Sequence, residues 1–248
     1  MKLTVLGCSG SMAGPDSPAS GYLVEADGYR VVLDLGNGAF GPLQRHVAPH
    51  EVDAIVLSHL HADHCIDLTS YIVALRYGPV TPERRIPLYG PSGTKDRLEA
   101  AYDPVARKLG LHELFEFTTT AAPATLGPFE VSFAAVNHPV PTFAVRLTQG
   151  GRTLVYSGDT GESPALVELA TGADVLLCEA SFSSSDLYVP DLHLTGAQAG
   201  EHAARAGVGK LIITHVQPWN SREDAVIEAS AVFDGEVVAA TPDAVFEI

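Results

Sequence analysis

The chain has 248 residues and sets 15 Lys and Arg against 30 Asp and Glu, a net charge of −15. That balance argues against a general nucleic-acid binder, which gains affinity by neutralising phosphates with cationic side chains. It argues equally against docking on an anionic membrane surface. With 46% hydrophobic and 18% charged residues the composition is globular, not disordered, and the length suits one layered domain over residues 1–248.

The first third is rich in predicted strands. Lys2 to Leu6 is a short β-type run that ends in a Gly/Ser/Pro loop reaching about Ala19. Gly21–Glu25 and Tyr29–Leu35 follow, joined by Ala26-Asp27-Gly28, a strong hairpin signal. Phe40 to His46 has helical spacing, and Ala54–Leu57 is a buried strand that leads directly into Ser58-His59. A helix is predicted over Ile66 to Tyr77, stopped by Gly78-Pro79. Ile86–Tyr89 is strand-like, and Gly90-Pro91-Ser92 opens a helix that runs to about Lys108.

Phe115–Thr118, Phe129–Val136, Phe143–Thr148 and Thr153–Tyr156 are predicted strands, the last two joined through Gln149-Gly150-Gly151-Arg152. The final third is βαβ-like. Helices over Pro164 to Ala170 and Ala197 to Ala206 alternate with buried strands Val175–Glu179 and Leu211–Thr214. Ser221 caps a helix to about Phe233, and Val237–Ala239 and Ala244–Glu247 close the chain. Strands followed by helices, twice over, predict an α/β fold of two sheets with helices on the outer faces.

Three scattered cysteines, Cys8, Cys65 and Cys178, form no disulfide framework and fit a reducing compartment. The opening MKLTVLGCSGSMAG lacks the long apolar run of a signal peptide, and no stretch reaches the ~18 apolar residues of a membrane helix. The expectation is a cytoplasmic protein without a membrane partner.

The chemistry concentrates in Ser58-His59-Leu60-His61-Ala62-Asp63-His64, directly after a buried strand. Neutral imidazole is the commonest metal ligand, and a tight loop entering a helix can aim four such side chains at one pocket. His59 and His61 can serve one ion, with Asp63 and His64 serving a neighbour. Three further candidates each follow a strand: His138 in Val136-Asn137-His138-Pro139, Asp159 in Ser157-Gly158-Asp159-Thr160-Gly161, and His215 in Thr214-His215-Val216. Each alone is weak, since a strand-end His or a Gly-Asp-Thr turn is usually structural. Together they make a site. The acidic strand ends Asp34 and Glu179 are candidates for fixing the imidazoles. Trp219, Pro218 and Asn220 either wall a pocket or cap the fold. His46, His50, His112 and His202 read as surface residues.

His-x-His-x-Asp-His, then His, then Gly-Asp-Thr, then His resembles the metallo-β-lactamase fold superfamily along essentially the whole chain. The resemblance implies an αββα sandwich: two mixed β-sheets packed face to face, with helices on both outer faces. It implies two divalent metal ions per chain, zinc first, with manganese or iron as alternatives. His59, His61 and His138 would hold one ion, Asp63, His64 and His215 the other, and Asp159 would bridge them. Asp34 in Val32-Leu33-Asp34-Leu35-Gly36 matches the superfamily's early Asp, which supports the metal loop.

Asp191-Leu192-His193-Leu194-Thr195 looks like the His-x-Thr motif of the ribonuclease Z-like phosphodiesterase branch, where the His faces the scissile phosphate. tRNA-processing members carry a long arm between the third His motif and the bridging Asp. Here His138 to Asp159 spans only 21 residues, and the charge is wrong for tRNA. A closer similarity is to small bacterial metal-dependent hydrolases that carry Gly7-Cys8-Ser9-Gly10, Ser20-Gly21-Tyr22-Leu23 and Asp34-Leu35-Gly36. Some of these hydrolyse cyclic nucleotides.

The expectation is therefore hydrolysis of a small anionic phosphodiester by a hydroxide held between two ions, with Asp63 orienting it and His193 as general acid. The alternatives are a lactone, thioester or β-lactam hydrolase on the same ions, or a tRNA 3′-processing endonuclease. No stable nucleic-acid partner is expected. Relatives in this branch are often homodimers, and the resemblance allows one here.

Overall fold

A computed structural model describes residues 1–80, 82–103, 110–120, 122–185 and 189–248. The first half of the chain supplies strands β1 (Lys2–Gly7), β2 (Gly21–Ala26), β3 (Tyr29–Leu35), β4 (Ala54–Val56), β5 (Ile86–Gly90) and β6 (Phe115–Thr119). The second half supplies β7 (Ala124–Leu126), β8 (Phe129–Ala135), β9 (Phe143–Gln149), β10 (Arg152–Tyr156), β11 (Val175–Glu179), β12 (Lys210–Thr214) and β13 (Glu236–Ala239). The last strand, β14 (Val245–Glu247), returns to the first sheet beside β1.

Two seven-stranded sheets result, ordered β14-β1-β2-β3-β4-β5-β6 and β13-β12-β11-β10-β9-β8-β7. Both are mixed. β1, β2 and β3 pair antiparallel before β3 to β6 run parallel. β7 to β10 pair antiparallel before β10 to β13 run parallel. Parallel neighbours need crossover connections, so helices must cover the faces of both sheets.

Alternation along the strands sorts the core into three layers. Leu33, Val56, Val145, Leu154, Leu177 and Ile212 meet between the sheets. The neighbouring Val32 and Ile55 point the other way, onto Leu43 of α1 (Phe40–His46) and Leu68, Tyr71 and Ile72 of α3 (Leu68–Tyr77). On the far face Leu211 and Ile213 pack with Leu166 of α5 (Pro164–Ala170), Ala199 and Ala203 of α6 (Gly196–Ala206), and Ala225 and Ala229 of α7 (Arg222–Ser230). The architecture is the expected αββα sandwich. Among the described residues no helix is long and apolar enough to cross a membrane.

Local chemistry sets the helix ends. Thr195 and Gln198 form a reciprocal capping box at the start of α6, and Gly207 ends it in the left-handed region. Ser221 caps α7 through the Asp224 amide.

Several elements differ from the sequence expectation. The helix placed over Ile66 to Tyr77 is preceded by a separate short turn, α2 (Ala62–Cys65), and α3 begins only at Leu68. The helix opened at Gly90-Pro91-Ser92 is α4 (Thr94–Tyr102), and residues 104–108 of its expected extent lie outside the described residues. The last helix stops at Ser230, short of Phe233. Strand β7 was not expected.

Candidate metal centre

The ligand candidates sit where strands end on one edge of the sandwich. β4 stops at Val56, and Ser58 and His59 follow before α2 turns Asp63 and His64 inward. His138, Asp159 and His215 lie just beyond the ends of β8, β10 and β12. His59, His64, Asp159 and His215 are almost fully buried, and His61 and His138 are half-buried.

Among the described residues three groups of ligand-type atoms converge: His59, His61, His138 and Asp159; Asp63, His64, Asp159 and His215; and Asp159, Glu179 and His193, with the atoms of each no more than 4.8 Å apart. Asp159 belongs to all three. Its Oδ2 is 3.6 Å from His59 Nε2 and 3.3 Å from His215 Nε2, and its Oδ1 is 3.1 Å from His64 Nε2. His61 Nδ1 lies 3.1 Å from His59 Nε2 and 3.2 Å from His138 Nε2. Asp63 Oδ2 is 3.4 Å from His64 Nε2 and 3.7 Å from His215 Nε2.

The far ring nitrogens of His59, His64, His138 and His215 are held from behind, which fixes which nitrogen faces the centre. Asp34 Oδ2 accepts from His64 Nδ1 (2.7 Å) and from the Ser58 hydroxyl (2.6 Å). With its proton committed to Asp34, Ser58 Oγ accepts from His59 Nδ1 at 3.0 Å. His138 Nδ1 donates to the Leu192 carbonyl (2.9 Å), and His215 Nδ1 lies 2.8 Å from Ser20 Oγ. Asp34 and His215 occupy the left-handed region, with φ of 54° and 56°. Such non-glycine residues mark positions that the surroundings over-determine.

These residues fit divalent metal. Imidazole nitrogen and carboxylate oxygen are ligands suited to zinc and its neighbours. Two nitrogens on one tetrahedral ion stand about 3.4 Å apart, close to the observed spacings. Most telling, His64 Nε2 and Asp159 Oδ1 are buried and have no hydrogen-bond partner among the described residues, although they face each other. Buried polar atoms are rarely left so, and a cation between them satisfies both.

Electrostatics separates the ligands. Burial lowers the His59, His61 and His138 pKa values, so these imidazoles are neutral and ready to coordinate. Burial also works to lower His64, but Asp159 and Asp34 outweigh it and hold the ring well above the usual histidine range. Burial works to raise the Asp159 carboxyl; His215, His64 and His59 overcome that and hold it well below the carboxylate range. Asp63 follows the same pattern through His64.

His193 lies on the rim. Its ring centroid is 5.6 Å from those of His138 and His215, and its Nδ1 donates to Glu179 Oε1 at 2.8 Å. Glu179 is fully buried at the end of β11, not solvated, and also accepts from the amides of Thr160, Ser181 and Leu194. Burial lowers the His193 pKa, but Glu179 more than offsets this and pushes it up to about 9.

All eight ligand and catalytic candidates, His59, His61, Asp63, His64, His138, Asp159, His193 and His215, meet at this edge. Sequence reasoning gave no role to Ser20, Ser58 or Tyr156, whose hydroxyls hold His215, His59 and Asp34. For Ser20 and Ser58 the signal was the Ser-Gly-Tyr-Leu and Ser-His motifs, which name a position but not a contact; Tyr156 lies in neither. His46 and His112 are exposed as expected, and His50 is half-exposed. His202 is the correction: it is buried on the inner face of α6, where Nε2 accepts from the Ser163 amide (3.0 Å).

Residues 29–216 match the family described as Beta-lactamase superfamily domain. The uncharacterized protein Rv1339 of Mycobacterium tuberculosis is 49% identical over 253 residues, covering 100% of this chain and 92% of that protein. The probable metallo-hydrolase YhfI of Bacillus subtilis is 30% identical over the full length of both chains. Its crystal structure, of a metallo-beta-lactamase fold protein, superposes with a TM-score of 0.88 at 29% identity, covering 100% and 98% of the two chains. Ribonuclease Z of Mycolicibacterium paratuberculosis is 30% identical over 88% of this chain and 86% of its own. The chain belongs to the beta-lactamase superfamily domain family and is a metal-dependent hydrolase of the metallo-β-lactamase fold.

Proposed function

We propose that this hydrolase is a phosphodiesterase that holds two divalent ions, zinc first, and acts on a small phosphodiester such as a cyclic nucleotide. His59, His61 and His138 would hold one ion and Asp63, His64 and His215 the other, with Asp159 common to both groups. When bound, the ions supply Lewis acidity, lowering the pKa of a water toward neutrality and offsetting phosphoryl charge.

The observation that carries the phosphodiester assignment is the buried His193–Glu179 pair beside the ligands. An alkoxide leaving from phosphorus needs a proton, and Glu179 keeps one on His193. In the reaction the water oxygen bonds to phosphorus as the bond to the leaving oxygen breaks. Asp63 orients the water, whose proton leaves to solvent, and His193 Nε2 protonates the leaving oxygen. The similarity to a ribonuclease supports the bond type, since RNA cleavage breaks a phosphodiester.

A small substrate fits better than tRNA. Between His138 and Asp159 the chain is consumed by β9, β10 and their Gly150-Gly151 turn, which leaves no room for an arm, and the net charge of −15 disfavours a long polyanion. A panel of cyclic nucleotides, linear dinucleotides, precursor tRNA, lactones and nitrocefin on metal-replete protein tests this. Turnover of cyclic nucleotides is expected. Turnover of lactones or nitrocefin with no phosphodiester cleaved would overturn the proposal in favour of carbon-centred hydrolysis.

A further inference from the structure

The Gly7-Cys8-Ser9-Gly10 motif carries the chain out of β1 and lays it against the backbone of His215. The Gly10 amide donates to the Val216 carbonyl at 3.0 Å. A Cβ on Gly10 would overlap the His215 carbonyl, so this approach requires glycine. Ser181 Oγ donates to that same carbonyl at 2.8 Å. A three-residue turn follows: the Met12 amide returns to the Gly10 carbonyl at 2.7 Å, with Ser11 at its centre at φ 62°. Turns of this hand are rare and strained, and strain of this kind concentrates at functional sites. Gln217 Nε2 donates to Ser11 Oγ at 3.2 Å and ties the turn down.

The turn aims one amide at the metal centre. Gly10 and Met12 commit theirs to backbone carbonyls, but the Ser11 N–H points at His215 Nε2, 3.3 Å away. That nitrogen faces the other ligands: it lies 3.3 Å from Asp159 Oδ2 and 3.7 Å from Asp63 Oδ2, while Nδ1 is held by Ser20. A neutral imidazole has one acceptor nitrogen. Once its lone pair is given to an ion, it no longer accepts from Ser11. Ser11 is exposed, so the N–H then faces whatever binds beside the ion. A donor fixed in advance by a strained, anchored turn needs no reorganisation to meet developing negative charge.

We infer that the Ser11 backbone amide is a catalytic donor: with His215 Nε2 coordinated, it hydrogen-bonds a non-bridging phosphoryl oxygen of the substrate and stabilises the charge that builds there. The inference rests on the phosphodiesterase reading for the identity of that oxygen, but the amide can be observed without turnover.

Amide NMR of isotope-labelled, zinc-loaded protein titrated with inorganic phosphate tests this. The Ser11 cross-peak is the serine signal missing from Ser11→Ala. Phosphate should move its proton downfield, as a charged oxygen accepts it, and a scalar coupling should appear between the amide nitrogen and phosphorus. The metal-free protein, in which His215 Nε2 is the acceptor, should show neither change. A Ser11 resonance that phosphate leaves unmoved would overturn the inference, whether or not calorimetry shows phosphate bound. A second measurement deletes only the donor. An ester in place of the Gly10–Ser11 amide is accessible by joining synthetic residues 1–64 to the expressed remainder at Cys65. The ester form should keep its zinc and lose about 10²–10³-fold in kcat on a cyclic nucleotide with KM little changed. Parent-like kcat in zinc-loaded ester protein would overturn the catalytic role. The phosphate-dependent shift and coupling in a protein that cleaves no phosphodiester would leave the Ser11 donor standing and overturn the reaction proposed above.

Discussion

The Tyr156 hydroxyl donates to Asp34 Oδ2 at 2.7 Å, and the two residues belong to different sheets. Asp34 is the penultimate residue of β3 and Tyr156 ends β10, so the bond ties the sheets together at the edge where the ligands converge. Asp34 also receives the Ser58 amide at Oδ1 (2.7 Å). A single carboxylate thus positions the metal loop, orients His64 and docks the opposite sheet.

Removing one donor should separate these roles. Tyr156→Phe leaves Asp34 with Ser58 and His64, so it should cost about 1.5–3 kcal/mol of stability, the value of a hydrogen bond to a charged group, and retain metal. Asp34→Asn tolerates the left-handed backbone but loses the charge that holds His64. It should fall well below the parent protein in metal content. Chemical denaturation and metal analysis of the two variants check this; full metal occupancy in Asp34→Asn would show that His64 is oriented by something else.

The His193–Glu179 pair makes a prediction about pH. With His193 held above the ordinary histidine range by Glu179, the ring carries its proton at neutral pH, and cyclic-nucleotide turnover should decline at alkaline pH as that proton is lost. Stability from the pair has the same sign: it is complete below the ordinary histidine pKa and is lost as pH rises through the elevated value. Glu179→Gln removes the upward influence and leaves burial, so the alkaline limb should move to lower pH. His193→Ala should lose about 10²–10⁴-fold in kcat on a cyclic nucleotide. It should lose less on bis-p-nitrophenyl phosphate, whose phenolic leaving group needs little acid. Equal losses on both substrates would argue against a proton-donating role.

Metal uptake should release protons. In the metal-free chain Asp159 and Asp34 keep His64 protonated against the opposing effect of burial, whereas coordination through Nε2 requires the neutral ring. The stability that the charged ring lends the metal-free protein is lost as pH rises through its elevated pKa. Over the same range the competition from protons fades, so zinc affinity should rise with pH. Calorimetry in buffers of different ionisation enthalpy counts the protons released. A binding enthalpy independent of buffer would mean that His64 is already neutral.

Much of the site was legible because each ligand follows a buried apolar strand, and strand ends on one edge of a sandwich must meet. The supporting contacts were not. Ser20 and His215 lie 195 residues apart, and no local pattern announces such a pair. Strand β7 has three residues between Pro123 and Gly127, too few to show alternation, and pairing with β8 creates it. His202 could have been found: Ala199, His202, Ala203 and Ala206 follow helical spacing. The polar character of histidine hid its place on the inner face.

The close approach of Gly36 to the metal loop yields a test that touches no ligand. A Cβ on Gly36 would overlap the Asp63 carbonyl and meet the Ala19 Cβ at 3.0 Å. The obstructing atoms of Asp63 are backbone, which cannot rotate aside. Gly36→Ala must therefore push α2 off the end of β3, carrying His64 away from Asp34. Reduced metal content and a lowered Tm are expected. Gly41, in α1, has nothing within 4 Å of the same added atom. Gly41→Ala should stabilise the protein by about 0.5–1 kcal/mol through the lower helix cost of alanine. The same chemical change should thus act with opposite sign at two glycines five positions apart. Parent-like metal content and Tm in Gly36→Ala would show that this contact does not hold the loop in place.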